Sequence, residues 1–214
     1  MARIRFKTAL LVTALLLASG HTLYLACHIG MANLLSARGR WTQDQWAKHP
    51  AVKPTPAELD QVRDGYLAAL KWRPQDGQLH SSLGTIYSLQ ASRLSSEPEA
   101  RQAALRQALE AFRTAVANRP MHQYAWLGIA YTLLQLNETG PELWQAYDKA
   151  FAFGWREPTQ RPQLVDICFR LWDTAGPARQ QQLDQMLASL QREQRKELLD
   201  IAINRGIYHQ LSVR

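Results

Sequence analysis

The sequence has few of the residues from which reactive or metal sites are usually built. Its two cysteines, Cys27 and Cys168, are far apart in the chain and form neither a CxxC motif nor a disulfide framework. The motifs GxxxxGK, GxGxxG, HExxH and GxSxG are absent. No two histidines stand at metal-ligand spacing; they are His21, His28, His49, His80, His122 and His209. The sequence therefore predicts no catalytic residue, no cofactor and no metal site.

The chain also lacks the basic body expected of a nucleic-acid-binding protein. The formal net charge is +7, but Arg3, Arg5, Lys7, Arg38 and Arg40 lie in the first forty residues without any acid. From Trp41 onward the charges nearly cancel, so no dense basic face is available to release phosphate counterions. We expect no nucleic-acid partner.

The N-terminal stretch is free of formal charge from Thr8 to Ala37. About 20 apolar residues suffice to cross a bilayer, so the pattern favours a signal anchor over residues 1–37. Two alternatives stay open. The short apolar core followed by Ser19 and Gly20 also fits a cleaved secretory peptide, and Cys27 after "LYLA" could be lipidated. The leading cations favour a cytoplasmic N-terminus and a body on the far side of the membrane.

Helical signals fill the rest of the chain after a polar, proline-bounded linker at residues 38–54. Thr55 with Glu58 forms a capping box ahead of a helix that Pro74 ends. Ser96 with Glu99, and Thr139 with Glu142, predict two further helix starts. No stretch alternates with the period of a strand, so the expected fold class is all-α. Three more helices fit the C-terminal third, at about residues 161–174, 177–191 and 193–204.

Three of these helices are similar in sequence, which indicates an internal repeat. "VRDGYLAALKWRP", "ALEAFRTAVANRP" and "LWQAYDKAFAFGW" align without gaps. Each has an aromatic residue followed three positions later by alanine. The matching pairs are Tyr66 and Ala69, Phe112 and Ala115, and Tyr147 and Ala150. "SSLGTIY" and "AWLGIAY" precede the second and third of these helices.

This pattern resembles the tetratricopeptide repeat (TPR), a helix-turn-helix unit of about 34 residues. The resemblance covers residues 55–158 and implies an α-solenoid of stacked helix pairs. In such a solenoid, Gly84 and Gly128 would be contact positions on the first helices of repeats, where neighbouring helices touch backbone to backbone. The register of the last repeat is ambiguous, because Trp126, Ala130 and Leu133 fit the motif as well as Leu127, Gly128 and Tyr131. Residues 55–73 would cap one end and the helices of residues 159–214 the other.

The layout also resembles the VpsP-type proteins of exopolysaccharide biosynthesis clusters, through the continuation "AFGWREPTQRPQLVDICFRLWD". That resemblance implies an adaptor at a bacterial inner membrane, with a periplasmic body, that supports polysaccharide synthesis or export through protein contacts. Assembly of a pilus, secretion or cytochrome-maturation complex is the alternative. The first helices of TPR repeats line a concave partner-binding surface, which here would use uncharged residues: Gln78, Ser81, Thr85, Ser88, His122 and Ala125.

A glycan-acting enzyme is a less favoured hypothesis. Such an enzyme needs two carboxyl groups about 5–10 Å apart in a cleft. Asp60 with Asp64, and Glu193 with Glu197, are the candidate pairs. Each pair has the i, i+4 spacing of a helix face and basic neighbours, which is typical of a solvated surface.

Overall fold

The computed structural model describes residues 2–49, 51–206, 208 and 211, with side chains from Leu11 onward. His209 lies outside these described residues, as do the side chains of the three leading cations. The described part is all-helical, as expected, and contains no strand. Its helices are α1 (Ala2–Lys48), α2 (Pro56–Trp72), α3 (Gly77–Arg93), α4 (Pro98–Asn118), α5 (Gln123–Gln135), α6 (Pro141–Gly154), α7 (Arg161–Arg170), α8 (Trp172–Ala175), α9 (Pro177–Ser189) and α10 (Arg192–Asn204).

Some helix boundaries follow from local chemistry that the sequence predicts. At the start of α2, Glu58 N donates to Thr55 Oγ1 at 3.3 Å and Thr55 N donates to Glu58 Oε2 at 2.8 Å. The predicted capping box is therefore confirmed. The two other predicted caps are wrong, because α4 follows Glu97 and α6 follows Gly140, and neither residue caps its helix with a side chain. In both helices proline at the first position replaces a capping side chain.

The predicted linker is also wrong over most of its length. Instead of ending near Ala37, α1 continues without interruption to Lys48. Its second half lies against α2, with Ala32, Ser36 and Gly39 buried in the contact. A Cβ added to Gly39 would lie 3.1 Å from the Tyr66 ring, and one added to Gly65 would lie 3.2 Å from the Leu35 carbonyl oxygen. The α2 helix therefore has a partner and is not a solitary cap.

The chain divides into two compact units, residues 1–79 and residues 80–214. The first contains α1 and α2, which form an antiparallel hairpin. The second contains most of α3 and all the later helices. Phe112, Leu133, Tyr147 and Leu164 are buried in its main hydrophobic core, and Ala91, Ala104 and Leu105 form a smaller separate cluster. In the C-terminal third, the two predicted breaks between helices occur, before α9 and before α10. A further break at Leu171 separates α7 from α8.

In the second unit, α3, α4 and α5 pack as successive antiparallel neighbours. Gly84 and Ala91 of α3 lie against Phe112 and the Ala104–Leu105 region of α4, respectively. Farther along, Arg101 of α4 donates to Gln135 of α5 at 3.3 Å. Because α3 and α5 are each antiparallel to α4, they run in the same direction.

Gly84 and Gly128 are contact positions, as the sequence predicts, but their common neighbour is an aromatic ring. A Cβ on Gly84 would lie 2.7 Å from two carbons of the Phe112 ring, and one on Gly128 would lie 2.6 Å from Phe112 Cζ. The expectation of backbone against backbone is therefore wrong, because both glycines make room for one phenyl group. Gly84 faces the helix that follows it and Gly128 the helix that precedes it, so the two are not structurally equivalent.

Candidate functional site

The six residues predicted to bind a partner do not form one exposed surface. Gln78 and Thr85 are exposed and Ser88 is half-buried, whereas Ser81, His122 and Ala125 are buried. The solvent-facing remainder therefore lies on α3, and we call Gln78, Thr85 and Ser88 the α3 face. These three residues recur at helical spacing on one side of α3. Whether they bind a partner stays a prediction.

His122 and Ala125 are buried because they begin α5. His122 is the N-cap residue, and its Nδ1 accepts a hydrogen bond from the Ala125 backbone N–H at 3.3 Å. Trp126 Nε1 donates to the Pro120 carbonyl oxygen at 2.7 Å and closes the same turn. Burial lowers the pKa of His122, and the charge of Arg119 lowers it further. These residues serve the turn between α4 and α5, and the fold covers His122 and Ala125.

Hydroxyl groups on the α3 face bond to their own helix. Thr85 Oγ1 donates to the Ser81 carbonyl oxygen at 3.2 Å, and Ser88 Oγ donates to the Gly84 carbonyl oxygen at 3.0 Å. Once the hydroxyl proton is used in this way, only the lone pairs of each oxygen remain for outside contacts. The α3 face therefore carries acceptor oxygens at Thr85 and Ser88 and the side-chain amide of Gln78, without formal charge.

The candidate carboxylate pairs lie on exposed helix surfaces. Arg63 bridges the first pair, with Nη1 at 2.7 Å from Asp60 Oδ1 and Nη2 at 2.9 Å from Asp64 Oδ1. Glu193 and Glu197 are exposed as well. The structure brings neither pair into a cleft. A glycosidase site needs one carboxyl group held protonated beside the scissile bond, and these positions do not provide that setting.

Carboxyl pKa values shift downward where the structure resolves a change. The Arg113 guanidinium donates two hydrogen bonds to Glu142, at 2.8 and 2.7 Å, and lowers the pKa of that carboxyl group. A backbone and side-chain hydrogen bond from Thr55 lowers the pKa of Glu58. The first contact joins α4 to α6 and the second caps α2, so both carboxylates serve the fold.

The second unit contains a polar pocket that sequence reasoning missed. It has a volume of about 410 Å³ between α6 and α9 and is lined by Asp148, Ala178, Arg179, Gln181, Gln182 and Gln185. Arg179 donates to both Asp148 oxygens, at 2.7 and 2.8 Å, and lies 4.7 Å above the Trp144 ring. A glutamine-rich segment after Pro177 was the available signal. The Arg179 guanidinium is already paired with Asp148 and stacked on Trp144, so this contact holds α9 against α6.

Cys168 is not a reactive thiol in this structure. It lies beside the Tyr147 hydroxyl inside the core of the second unit. Burial raises the pKa of Cys168 to about 12. The thiolate is the nucleophilic and metal-binding form of cysteine, and it is scarcely populated at such a pKa. Within the described residues, no group of three or more His, Cys, Asp or Glu side chains is placed to hold a metal ion.

Most of the exposed large apolar side chains among the described residues lie on α1. Every side chain from residue 11 to residue 27 is exposed, including Leu15, Leu16, Leu17 and Leu23. This helix is long and apolar enough to cross a membrane, judged by its length and composition. Folding within the first unit leaves residues 11–27 exposed, whereas the second half of this helix packs against α2.

No protein-family model matches the chain, and no curated protein matches its sequence. Inferences about function therefore depend on the arrangement of the residues themselves.

Proposed function

We propose that the protein is a membrane-anchored adaptor that holds a protein partner of a bacterial envelope machinery. The observation that carries this proposal is the exposed apolar half of α1, which continues without a break into a helix packed against α2. One rigid helix would thus join the membrane to the folded body. In this proposal α1 is a single span at the inner membrane, and the body is periplasmic.

The helix pairs of the second unit support the adaptor role. We propose that they are tetratricopeptide-like repeats, because the repeated aromatic and alanine positions are buried between helices: Tyr147, Ala150, Phe112 and Ala115. The nonequivalence of Gly84 and Gly128 favours the register in which Ala130 and Leu133, both buried, occupy the motif positions of α5. Repeats of this kind bind extended segments or helices of a partner along their first helices.

The α3 face is the proposed contact. Its hydroxyl groups offer acceptors, so a matching partner would present hydrogen-bond donors such as backbone N–H groups together with small apolar side chains. An uncharged surface does not favour a strongly acidic or basic segment. Support of polysaccharide synthesis or export is the pathway we favour, on the resemblance in layout described above.

A substitution on the α3 face tests the proposal. Affinity capture of the intact protein from detergent-solubilised membranes should recover an envelope protein, and Thr85→Arg with Gln78→Arg should lower its recovery about tenfold, because one desolvated mismatch costs ~1–2 kcal/mol. Gln102→Arg with Gln107→Arg places the same charges on exposed positions of α4 and should have no effect. Equal recovery in both double variants would contradict the proposed surface.

A further inference from the structure

The environment of α1 changes abruptly at His28. Before it, each described side chain is exposed; after it, one face of the helix is buried against α2, beginning with Ala32 at 2% exposure and Ser36 at 0%. The apolar half and the packed half of α1 therefore meet at a single turn. This turn fixes where a membrane surface can lie relative to α2.

The length of the uncovered half matches a bilayer. In the sequence, Lys7 is the last charged residue before the apolar stretch, and residues 8–27 lie between it and His28. At 1.5 Å per residue, these residues span about 30 Å of helix, which is the usual thickness of the hydrocarbon core. A span placed over them ends where the contact with α2 begins.

The C-terminal end of α2 lies at the same level. His28 Nδ1 donates to the Trp72 carbonyl oxygen at 2.8 Å. The rings of His28 and Trp72 meet edge to face with centroids 5.3 Å apart, and the Tyr24 ring lies 4.2 Å from that of His28. Tyrosine and tryptophan are enriched at the headgroup level of membranes, where one part of the ring is apolar and the other is polar.

Cations accompany this aromatic cluster. Lys71 is exposed in the last turn of α2, and Arg73 follows Trp72 with a salt bridge of 2.8 Å to Asp76. A lysine close to an anionic leaflet is attracted to its surface. The last turn of α2 thus carries a half-buried tryptophan and an exposed lysine beside the end of the uncovered half of α1.

We propose that Tyr24, His28, Lys71 and Trp72, the interfacial cluster, seat the C-terminal end of α2 on the phospholipid headgroups. The proposal rests on the proposed membrane span of α1 and adds the orientation of the first unit. The opposite end of α2, near Ala57, then lies about 22 Å farther from the bilayer at the helical rise.

Depth-dependent quenching of single fluorescent labels tests the seating. The full chain carries Cys27→Ala, and buried Cys168 is left in place. A cysteine is introduced at exposed Gln75, at exposed Ala57 or at exposed Leu15, and each is labelled with the fluorophore NBD. The proteins are reconstituted into phosphatidylcholine–phosphatidylglycerol vesicles that contain nitroxide lipids, labelled either at the headgroup or in the acyl chain.

We expect headgroup nitroxides to quench the Gln75→Cys label at least about twofold more than the Ala57→Cys label, given a helical separation of roughly 22 Å along α2. Acyl-chain nitroxides should quench the Leu15→Cys label most strongly. Equal, weak quenching at the two ends of α2 together with a quenched Leu15→Cys label would overturn the seating and leave the span intact. An unquenched Leu15→Cys label would overturn the span itself and the seating with it. The Cys27→Ala protein without an introduced cysteine is treated with the same fluorophore, which measures any labelling of Cys168.

Discussion

Single residues of this chain take roles that depend on their exact place in a turn. Histidine is a polar residue that is often exposed or involved in binding. The imidazole of His122, however, is buried and accepts a hydrogen bond from the Ala125 N–H at the start of α5. The acceptor must be a neutral ring nitrogen, since a protonated imidazole has no lone pair to offer. Burial and the charge of Arg119 both lower the His122 pKa, which keeps the ring neutral.

The first prediction concerns the pH dependence of this cap. Because the folded-state pKa of His122 is lowered, its contribution to the free energy of unfolding is complete above about pH 6.5, the ordinary pKa of histidine. It is lost as the pH falls from there toward the folded-state pKa. We expect His122→Asn, which keeps a capping acceptor without a titrating group, to flatten the decline in Tm between pH 7.5 and pH 5.

Thermal unfolding in detergent, followed by circular dichroism, measures this effect. A change of ~1 kcal/mol moves Tm by about 2–4 °C in a chain of this size. His49→Asn is the matched control, since His49 is exposed near the end of α1. A decline that is as steep in His122→Asn as in the parent protein would show that another group causes it.

At the scale of helices, one phenyl ring decides how three of them meet. Gly84 of α3 lies against Cγ, Cδ1 and Cε1 of the Phe112 ring on α4, and Gly128 of α5 lies against Cε1, Cζ and Cε2 of the same ring. A glycine inside a helix is unfavourable by about 1 kcal/mol relative to alanine. The close contact with the Phe112 ring explains why glycine occupies both positions, because a Cβ there would clash with the ring. Ion pairs also link neighbouring helices, and the salt bridge between Arg113 and Glu142 joins α4 to α6.

The second prediction tests this contact. Gly128→Ala should lower the free energy of unfolding by about 1–2 kcal/mol, because overpacking against Phe112 exceeds the gain in helix propensity. Combining it with Phe112→Leu should recover part of that loss, which a double-mutant cycle detects. Denaturant titration measures all three variants.

Gly30 supplies the matched control for Gly128→Ala. It is also inside a helix, but nothing lies within 4 Å of a Cβ added there. Gly30→Ala should be neutral or stabilising by up to ~1 kcal/mol. Equal effects of the two alanine substitutions would mean that the Phe112 ring does not limit the space at Gly128.

On the scale of the whole molecule, α1 belongs both to the proposed anchor and to the folded body. Its residues 28–46 cover the inner face of α2, on which Leu59, Val62, Tyr66 and Ala69 are buried. Residues 11–27 cover nothing in the described structure of the first unit. The proposed boundary between anchor and body therefore lies inside one continuous helix, ten residues before the boundary expected from the charge pattern.

The third prediction compares two truncations. Removal of residues 2–27 should leave a soluble, cooperatively folded protein, because the α1–α2 contact is kept. Removal of residues 2–48 should uncover the apolar face of α2, and we expect aggregation and rapid proteolysis within residues 56–72. Size-exclusion chromatography and limited proteolysis distinguish the two. If both proteins were equally soluble and resistant, the packing of α1 on α2 would not stabilise the first unit.

Much of the architecture was predictable from the sequence because it depends on local chemistry. Helical periodicity, the capping box at Thr55 and Glu58, and the prolines after α2 and α4 determine where helices form. The repeated aromatic and alanine positions identify side chains that fold inward, and Tyr66, Phe112 and Tyr147 are all buried. A charge-free stretch of sufficient length likewise indicates a membrane-compatible helix.

Other features were decided only by tertiary structure, because they depend on which side of a helix meets a neighbour. The polar residues around Trp41 look like a linker in the sequence, but in the structure Gly39 faces Tyr66 of α2. The number of residues between Gly39 and Tyr66 is nearly the same as that between Gly84 and Phe112. Local sequence could not show that Ser81, His122 and Ala125 are covered while Thr85 is exposed. Propensity acts between residues close in the chain, whereas exposure and partner choice result from contacts between segments that only folding brings together.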